Sequence, residues 1–255
     1  QELSMPVLDE RLFKSPAVAL QQAKSAVVKM SRRAARNVSL STPLLLKMDE
    51  DVVSAINVRE NLIDRMEVEI SNYLIKMTDQ ELGDDESHAV TELLNFVTEY
   101  ERIGDYAVNI MEKAQELEEK EASFSETAKN ELGILDAALE HILTLTVDAF
   151  ENEDVRMARQ VEPLEEIIDG LCDELKLHHV DRLQKGVCTL SQGFVFNDLL
   201  TNYERVADHC SNIAVAMIEL ESDAFDTHEY LKSVKDMKSD SFARYYEEYS
   251  KKFAL

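Results

Sequence analysis

Apolar residues recur along most of this chain at three- and four-residue spacing, the period of a helix with one buried face, and strand-like alternation is scarce. Leu20, Val27 and Met30 mark such a stripe from Pro16 to about Ser39. Ser15 offers an N-cap oxygen there, and Pro16 takes the first helical position, where a missing amide donor costs nothing. Thr42 with Pro43 repeats that start signal and predicts a second helix to about Met77 through Val52, Ile56, Ile63, Ile70 and Leu74. The Gly83-Asp84-Asp85 turn introduces a third helix, which ends in the acidic run Glu116-Leu117-Glu118-Glu119. Ser123 and Glu126 have capping-box spacing and predict a fourth, with Leu132, Leu135, Leu139, Ile142 and Leu143 on its apolar face. A fifth runs from Val155 to about Lys185, with Pro163 a point of kinking and Gly186 its stop, and a sixth from about Ser191 to Leu220. Phe242, Tyr246, Tyr249 and Phe253, spaced by four, three and four residues, predict a seventh, amphipathic helix packed on the body.

Within this pattern one stretch occurs twice. Tyr100-Glu101-Arg102, then Asp105, then Asn109-Ile110 returns in register as Tyr203-Glu204-Arg205, Asp208 and Asn212-Ile213, 103 residues later. Glu and Asp four residues apart share one helix face. Val97 lies four before Glu101 and Val108 three after Asp105, so the acids interrupt the apolar stripe. Gly104 and Ala207, between the acids, keep that face narrow for a neighbouring helix. Glu60 with Asp64, and Glu165 with Asp169, are further pairs of the same spacing, 105 residues apart. The expected fold is therefore all-α: two tandem three-helix bundles related by internal duplication, plus a C-terminal amphipathic helix. The chain divides into a lead-in over 1–14, a first repeat over 15–120, a second over 121–221 and a tail over 222–255.

Composition narrows the partners. Lys and Arg number 27 against 51 Asp and Glu, a formal net charge of -24, so a nucleic-acid backbone would be repelled, and adhesion to an anionic bilayer is disfavoured. No apolar run approaches the length of about 18 residues that spans a bilayer, so direct membrane insertion is not expected. Cys172, Cys188 and Cys210 are odd in number and lack CxxC spacing, which argues against a disulfide framework or thiolate zinc site and fits a reducing cytosol. The chain opens on Gln1, which suits a processed product or a piece of a longer protein.

Consecutive antiparallel helices would bring Glu60 and Asp64 against Glu101 and Asp105, and Glu165 and Asp169 against Glu204 and Asp208. Two carboxylates about 4 Å apart repel by about 4 kcal/mol at an effective dielectric of about 20, so each patch calls for protons, cationic partners or metal. Carboxylate-only sets suit hard cations such as ferric iron, manganese, magnesium or calcium. The alternative is an ion-pair network with Arg and Lys from neighbouring helices. No His has a Glu three residues before it, which weighs against a carboxylate-bridged metal oxidoreductase. His209, directly after Asp208, is a candidate extra ligand, but Tyr106 stands at the matching position, so it is expected to pack between helices or face solvent; His178 and His179 are expected to serve as C-terminal cations of the fifth helix or as surface residues. No nucleophile-base set or Gly-rich phosphate loop is visible, so the chain is read as no enzyme.

At Glu101-Arg102-Ile103-Gly104-Asp105 followed by Ala107-Val108-Asn109-Ile110, duplicated across two halves, the sequence resembles the PhoU family of phosphate-uptake regulators over about residues 15–220. The resemblance implies multinuclear metal clusters, iron ahead of manganese, zinc, magnesium or calcium, on Glu60, Asp64, Glu101, Asp105, Glu165, Asp169, Glu204 and Asp208. Val7-Leu8-Asp9-Glu10-Arg11-Leu12 before Ser15-Pro16, with the aromatic tail, looks like the cytoplasmic PhoU-like region of bacterial sodium/phosphate cotransporters. That likeness implies a regulatory domain at the inner face of the membrane, acting on a phosphate transporter in cis. The alternatives are a free-standing PhoU regulator of an ABC phosphate transporter and sensor kinase, a metal oxidoreductase, and a metal-free helical scaffold. Phosphate on the metal cluster and a homo-oligomer are further partners that these readings admit.

Overall fold

Capping oxygens and buried side chains set the helix boundaries. The computed structural model describes residues 4–223 and 240–255, and no strand occurs among them. A 3-10 turn over Glu10–Lys14 precedes α1, Pro16–Ser41, whose buried face of Ala19, Ala23, Ala26, Val27, Met30, Ala34 and Val38 is small enough for α3 to pack closely along it. The second helix does not open at Thr42 with Pro43. Those residues form a separate 3-10 turn, Thr42–Leu45, that buries Leu44 and Leu45, and α2 runs Glu50–Met77. Asp49 supplies its cap, accepting from Asp51 N at 3.0 Å and Val52 N at 3.4 Å, with Glu50 and Asp51 favouring the positive end of the helix dipole. Asp84–Glu119 is α3, entered from Gly83 as expected.

The second half repeats the plan with two departures. α4, Glu126–Asn152, is capped by Ser125, not Ser123. Phe124 must reach the core against the Phe196 ring, 5.3 Å away, and Ser125 Oγ then accepts from Ala128 N at 3.2 Å. Beyond the left-handed Glu153 (φ 52°), the expected single helix from Val155 breaks into a turn, α5, Val155–Ala158, and α6, Val161–Gln184. Pro163 consequently lies in the first turn of α6, where no intrahelical donor is missed, and the expected kink is instead a break just before it. Gly186, at φ +70°, carries the turn after α6, and α7 is Leu190–Asp223.

α1, α2 and α3 pack on one another, as do α4, α6 and α7, and the halves join through α1 against α4 and α3 against α7. Both junctions pair an element with its own repeat, the arrangement that an approximate two-fold axis produces. The axis can be located. Tyr106 and His209 occupy the same position in the two repeats, and their rings stack at 5.6 Å. Arg32 pairs with Asp148 at 2.9 Å and with Glu151, and Lys24 with Glu153, tying α1 to the end of α4.

The expected C-terminal amphipathic helix is α8, Asp240–Lys252. It docks through Tyr249 and Phe253, both buried, with rings 5.3 and 5.9 Å from His141 and the Tyr249 hydroxyl donating to Gln160 Oε1 at 3.0 Å; Tyr246 stays exposed. The remainder of the tail, 224–239, and residues 1–3 of the lead-in lie outside the described residues.

Candidate metal centres

The recurring Tyr-Glu-Arg is divided three ways by helical geometry. Tyr100 and Tyr203 point into the core at 1% and 0% exposure, Arg102 and Arg205 point outward, and the acids lie at the boundary between them. The acids therefore edge the apolar stripe instead of replacing its centre: Asp64 and Asp105 are exposed, Glu60, Glu101, Asp169, Glu204 and Asp208 half-buried, and Glu165 alone of the eight is buried.

In the first half the antiparallel α2 and α3 bring the four expected acids together and add one. Glu60, Asp64 and Asp105 offer oxygens within 4.8 Å of one another, and so do Asp64, Glu67 and Glu101. The two triads share Asp64. Glu67 was not singled out by pair spacing, although it lies seven residues beyond Glu60 on the same face. In the second half Glu165, Asp169 and Asp208 form the corresponding triad. Glu204 instead accepts from Lys176 Nζ at 2.9 Å, and the place matching Glu67 holds the buried Cys172. The halves thus differ in strength: five acids in one, and three with a lysine-paired fourth in the other.

Proton affinities record the crowding. Burial first, then Asp105, Asp64 and Glu101 beside it, raises Glu60 to about 9; burial, Asp105, Glu67 and Asp64 raise Glu101 to about 7. Asp64 and Glu67 are raised for the same reasons. Burial, then Asp169, Glu162 and Asp208, raises Glu165 to about 9. Glu60 Oε2 is also buried with no hydrogen-bond partner. Carboxylate oxygens within 4.8 Å of each other, an orphaned buried oxygen and charge held off by protons together fit a hard divalent or trivalent cation, since metal–oxygen distances of about 2.0–2.6 Å put any two ligands within about 5 Å. Such an ion would be held by Glu60, Asp64, Glu67, Glu101 and Asp105 in one half and by Glu165, Asp169 and Asp208 in the other.

Gly104 makes room for this. A Cβ there would come within 3.0 Å of Glu60 Oε2 and 3.5 Å of Ile63. The oxygen is the free end of a side chain and can shift, so Gly104→Ala is expected to change stability by less than about 1 kcal/mol while lowering metal retention in the first half. Metal content and melting temperature measured on one sample check both; full metal retention would show that the glycine serves helix packing alone.

His209 and His179 pack in the interior. His209 packs between helices as one of its two expected roles has it, 7% exposed, with Nδ1 2.6 Å from Glu99. His179, expected at the surface, is buried, stacked on Phe196 at 4.9 Å. Gly193 of α7 lies over it, and a Cβ there would come within 2.6 Å of His179 Nε2. Among the described residues none of the three carboxylate groups includes a histidine.

Two three-helix halves about an approximate two-fold, each with carboxylates gathered from its second and third helices, define a class of duplicated, acid-bearing helical protein. A family model described as the PhoU domain matches residues 27–114 and 135–217. The chain belongs to the PhoU family. It is 26% identical over 214 residues to "Phosphate-specific transport system accessory protein PhoU homolog 1" of Thermotoga maritima, covering 83% of this chain and 90% of that protein. To the accessory protein PhoU homolog of Aquifex aeolicus it is 24% identical over 225 residues, covering 87% and 98%. The crystal structure of PhoU from Pseudomonas aeruginosa superposes with a TM-score of 0.74 at 19% identity over 83% of this chain and 99% of that one; PhoU from Streptococcus pneumoniae gives 0.73 at 17% over 82% and 98%. No helix among the described residues is long and apolar enough to cross a membrane.

Proposed function

We propose that this chain is a metal-binding, non-enzymatic accessory regulator of a phosphate transport system, working from the cytoplasmic side through protein contacts. The observation that carries the reading is the duplication of the carboxylate clusters, whose oxygens converge within 4.8 Å in both halves. Relatives matched over nearly their whole length are described as accessory proteins of phosphate-specific transport. That description supports an accessory protein acting in trans better than the cytoplasmic portion of a sodium/phosphate cotransporter. Carboxylate-only clusters suit iron, with manganese, magnesium, calcium or zinc as alternatives, and leave coordination positions open to water or an oxyanion.

The test is compositional. Glu101→Gln with Asp105→Asn strikes both triads of the first half and is expected to cut bound metal, measured by inductively coupled plasma mass spectrometry, by about half while leaving the helical circular dichroism unchanged. Metal content equal to the parent protein would reject the carboxylates as ligands and leave a metal-free helical scaffold.

A further inference from the structure

The acids of the repeated motif belong to the carboxylate clusters and its tyrosines to the core, but its arginines have no role in either. Arg102 and Arg205 occupy equivalent positions, and the approximate two-fold brings both to one cavity of about 340 Å³ between α3, α6 and α7. Glu165 and Asp208 of the second triad line the same cavity, as do Glu162, Ser211 and Asn212. In a chain with 51 acids and 27 bases an arginine beside carboxylates would ordinarily be paired. Here, among the described residues, neither guanidinium holds an ion pair or hydrogen bond, and two of the nearby carboxylates are engaged by other donors. Glu162 accepts from Ser211 Oγ at 2.5 Å, and Glu99 is met by His209 Nδ1 at 2.6 Å and Asn212 Nδ2 at 3.4 Å.

We infer that Arg102 and Arg205 form a seat for a small tetrahedral oxyanion, inorganic phosphate, on the axis between the halves and beside the second triad. Guanidinium groups present planar, forked donors that match two oxygens of such an anion, and a pair from opposite helices can hold it from two sides. At about 340 Å³ the cavity has room for phosphate together with water, and Glu162 and Asp208 on its wall disfavour a ligand of higher negative charge. The inference rests on the metal reading at one point: a cation held by Glu165, Asp169 and Asp208 turns an adjoining wall that repels phosphate into one that attracts it. The chain's halves would then sense phosphate jointly, since each supplies one of the two arginines.

Calorimetric titration of inorganic phosphate into the metal-loaded full chain, with metal content determined on the same samples, tests this. Arg102→Gln and Arg205→Gln are each expected to weaken binding about tenfold or more, and the double variant about a hundredfold, with metal content unchanged. Arg36→Gln, which removes an exposed cation on α1, is expected to leave affinity as it was. Failure of the parent protein to bind phosphate, an R102Q/R205Q protein that binds as the parent does, or an equal loss in R36Q would each overturn the seat. If the purified protein carries no metal, the metal reading fails separately. The same titration then still decides: binding lost in R102Q/R205Q upholds the arginine seat, and binding indifferent to them overturns it.

Discussion

Stripped of metal, the protein is expected to lose thermal stability as pH rises from 4.5 towards about 9, and Glu60→Gln with Glu165→Gln to remove a large part of that loss. Both glutamates bind their protons more tightly in the folded state than the ordinary value of 4.5 allows, each holding to about 9. Folded chains therefore carry more protons than unfolded ones across this window. Their contribution is complete below pH 4.5 and disappears as pH climbs through about 9, the reverse of a salt-bridged carboxylate. At pH 8 the metal-free double variant should melt about 5 °C or more above the parent, and the two should converge at low pH. Added metal should raise the parent more than the variant, which keeps only the Asp64, Glu67 and Glu101 triad whole. Neutralising the exposed Glu81 and Glu119 instead controls for net charge. A double variant that melts below the parent at pH 8 would show that these carboxylates are held by native partners and are not crowded.

Glu131→Ala is expected to destabilise the second half by about 3–5 kcal/mol, the cost of leaving a buried charge unanswered. Glu131 and Arg182 have side-chain exposures of 8% and 11% and meet at 2.5 Å between α4 and α6, with His178 against the other carboxylate oxygen. The guanidinium also lies 5.5 Å from the centre of the Phe196 ring. Removing both partners, as Glu131→Ala with Arg182→Met, should recover most of the loss, because an apolar pair leaves no orphaned charge. Chemical denaturation of both variants checks this; a single substitution costing under about 1 kcal/mol would mean that water replaces the carboxylate freely.

Much of this architecture could be read from the chain, and the misreadings have physical causes. Helical period and glycine stops are local, so six of the main helices and the tail helix were legible. Starts were harder, since a Ser or Thr before Pro signals a turn of helix without saying how long it continues; Asp49 was the cap that mattered. The break at Arg159 and Gln160 was announced by Pro163, whose ring and missing amide donor act on the carbonyl four residues before it, but the sequence does not say whether such a proline kinks a helix or stops it. The acid pairs stood out because the repeat held them in register. Glu67 did not, since its partner position in the second repeat is Cys172. Lys176 capturing Glu204, and Gly193 closing over His179, depend on which side chains neighbouring helices present and have no signature along one segment.

The stacking of Tyr106 on His209 implies more than a symmetry element. Where a position touches its own repeat, the chain has the form of a dimer whose subunits have been fused end to end, with residues 120–125 as the tether. Fusion replaces a bimolecular association by an intramolecular one, so the α1–α4 and α3–α7 contacts persist at any dilution. It also frees the subunits to diverge: a mutation in a true dimer strikes both copies, whereas here one half holds five carboxylates and the other has a cysteine at one of those places and a lysine bound to the glutamate at another.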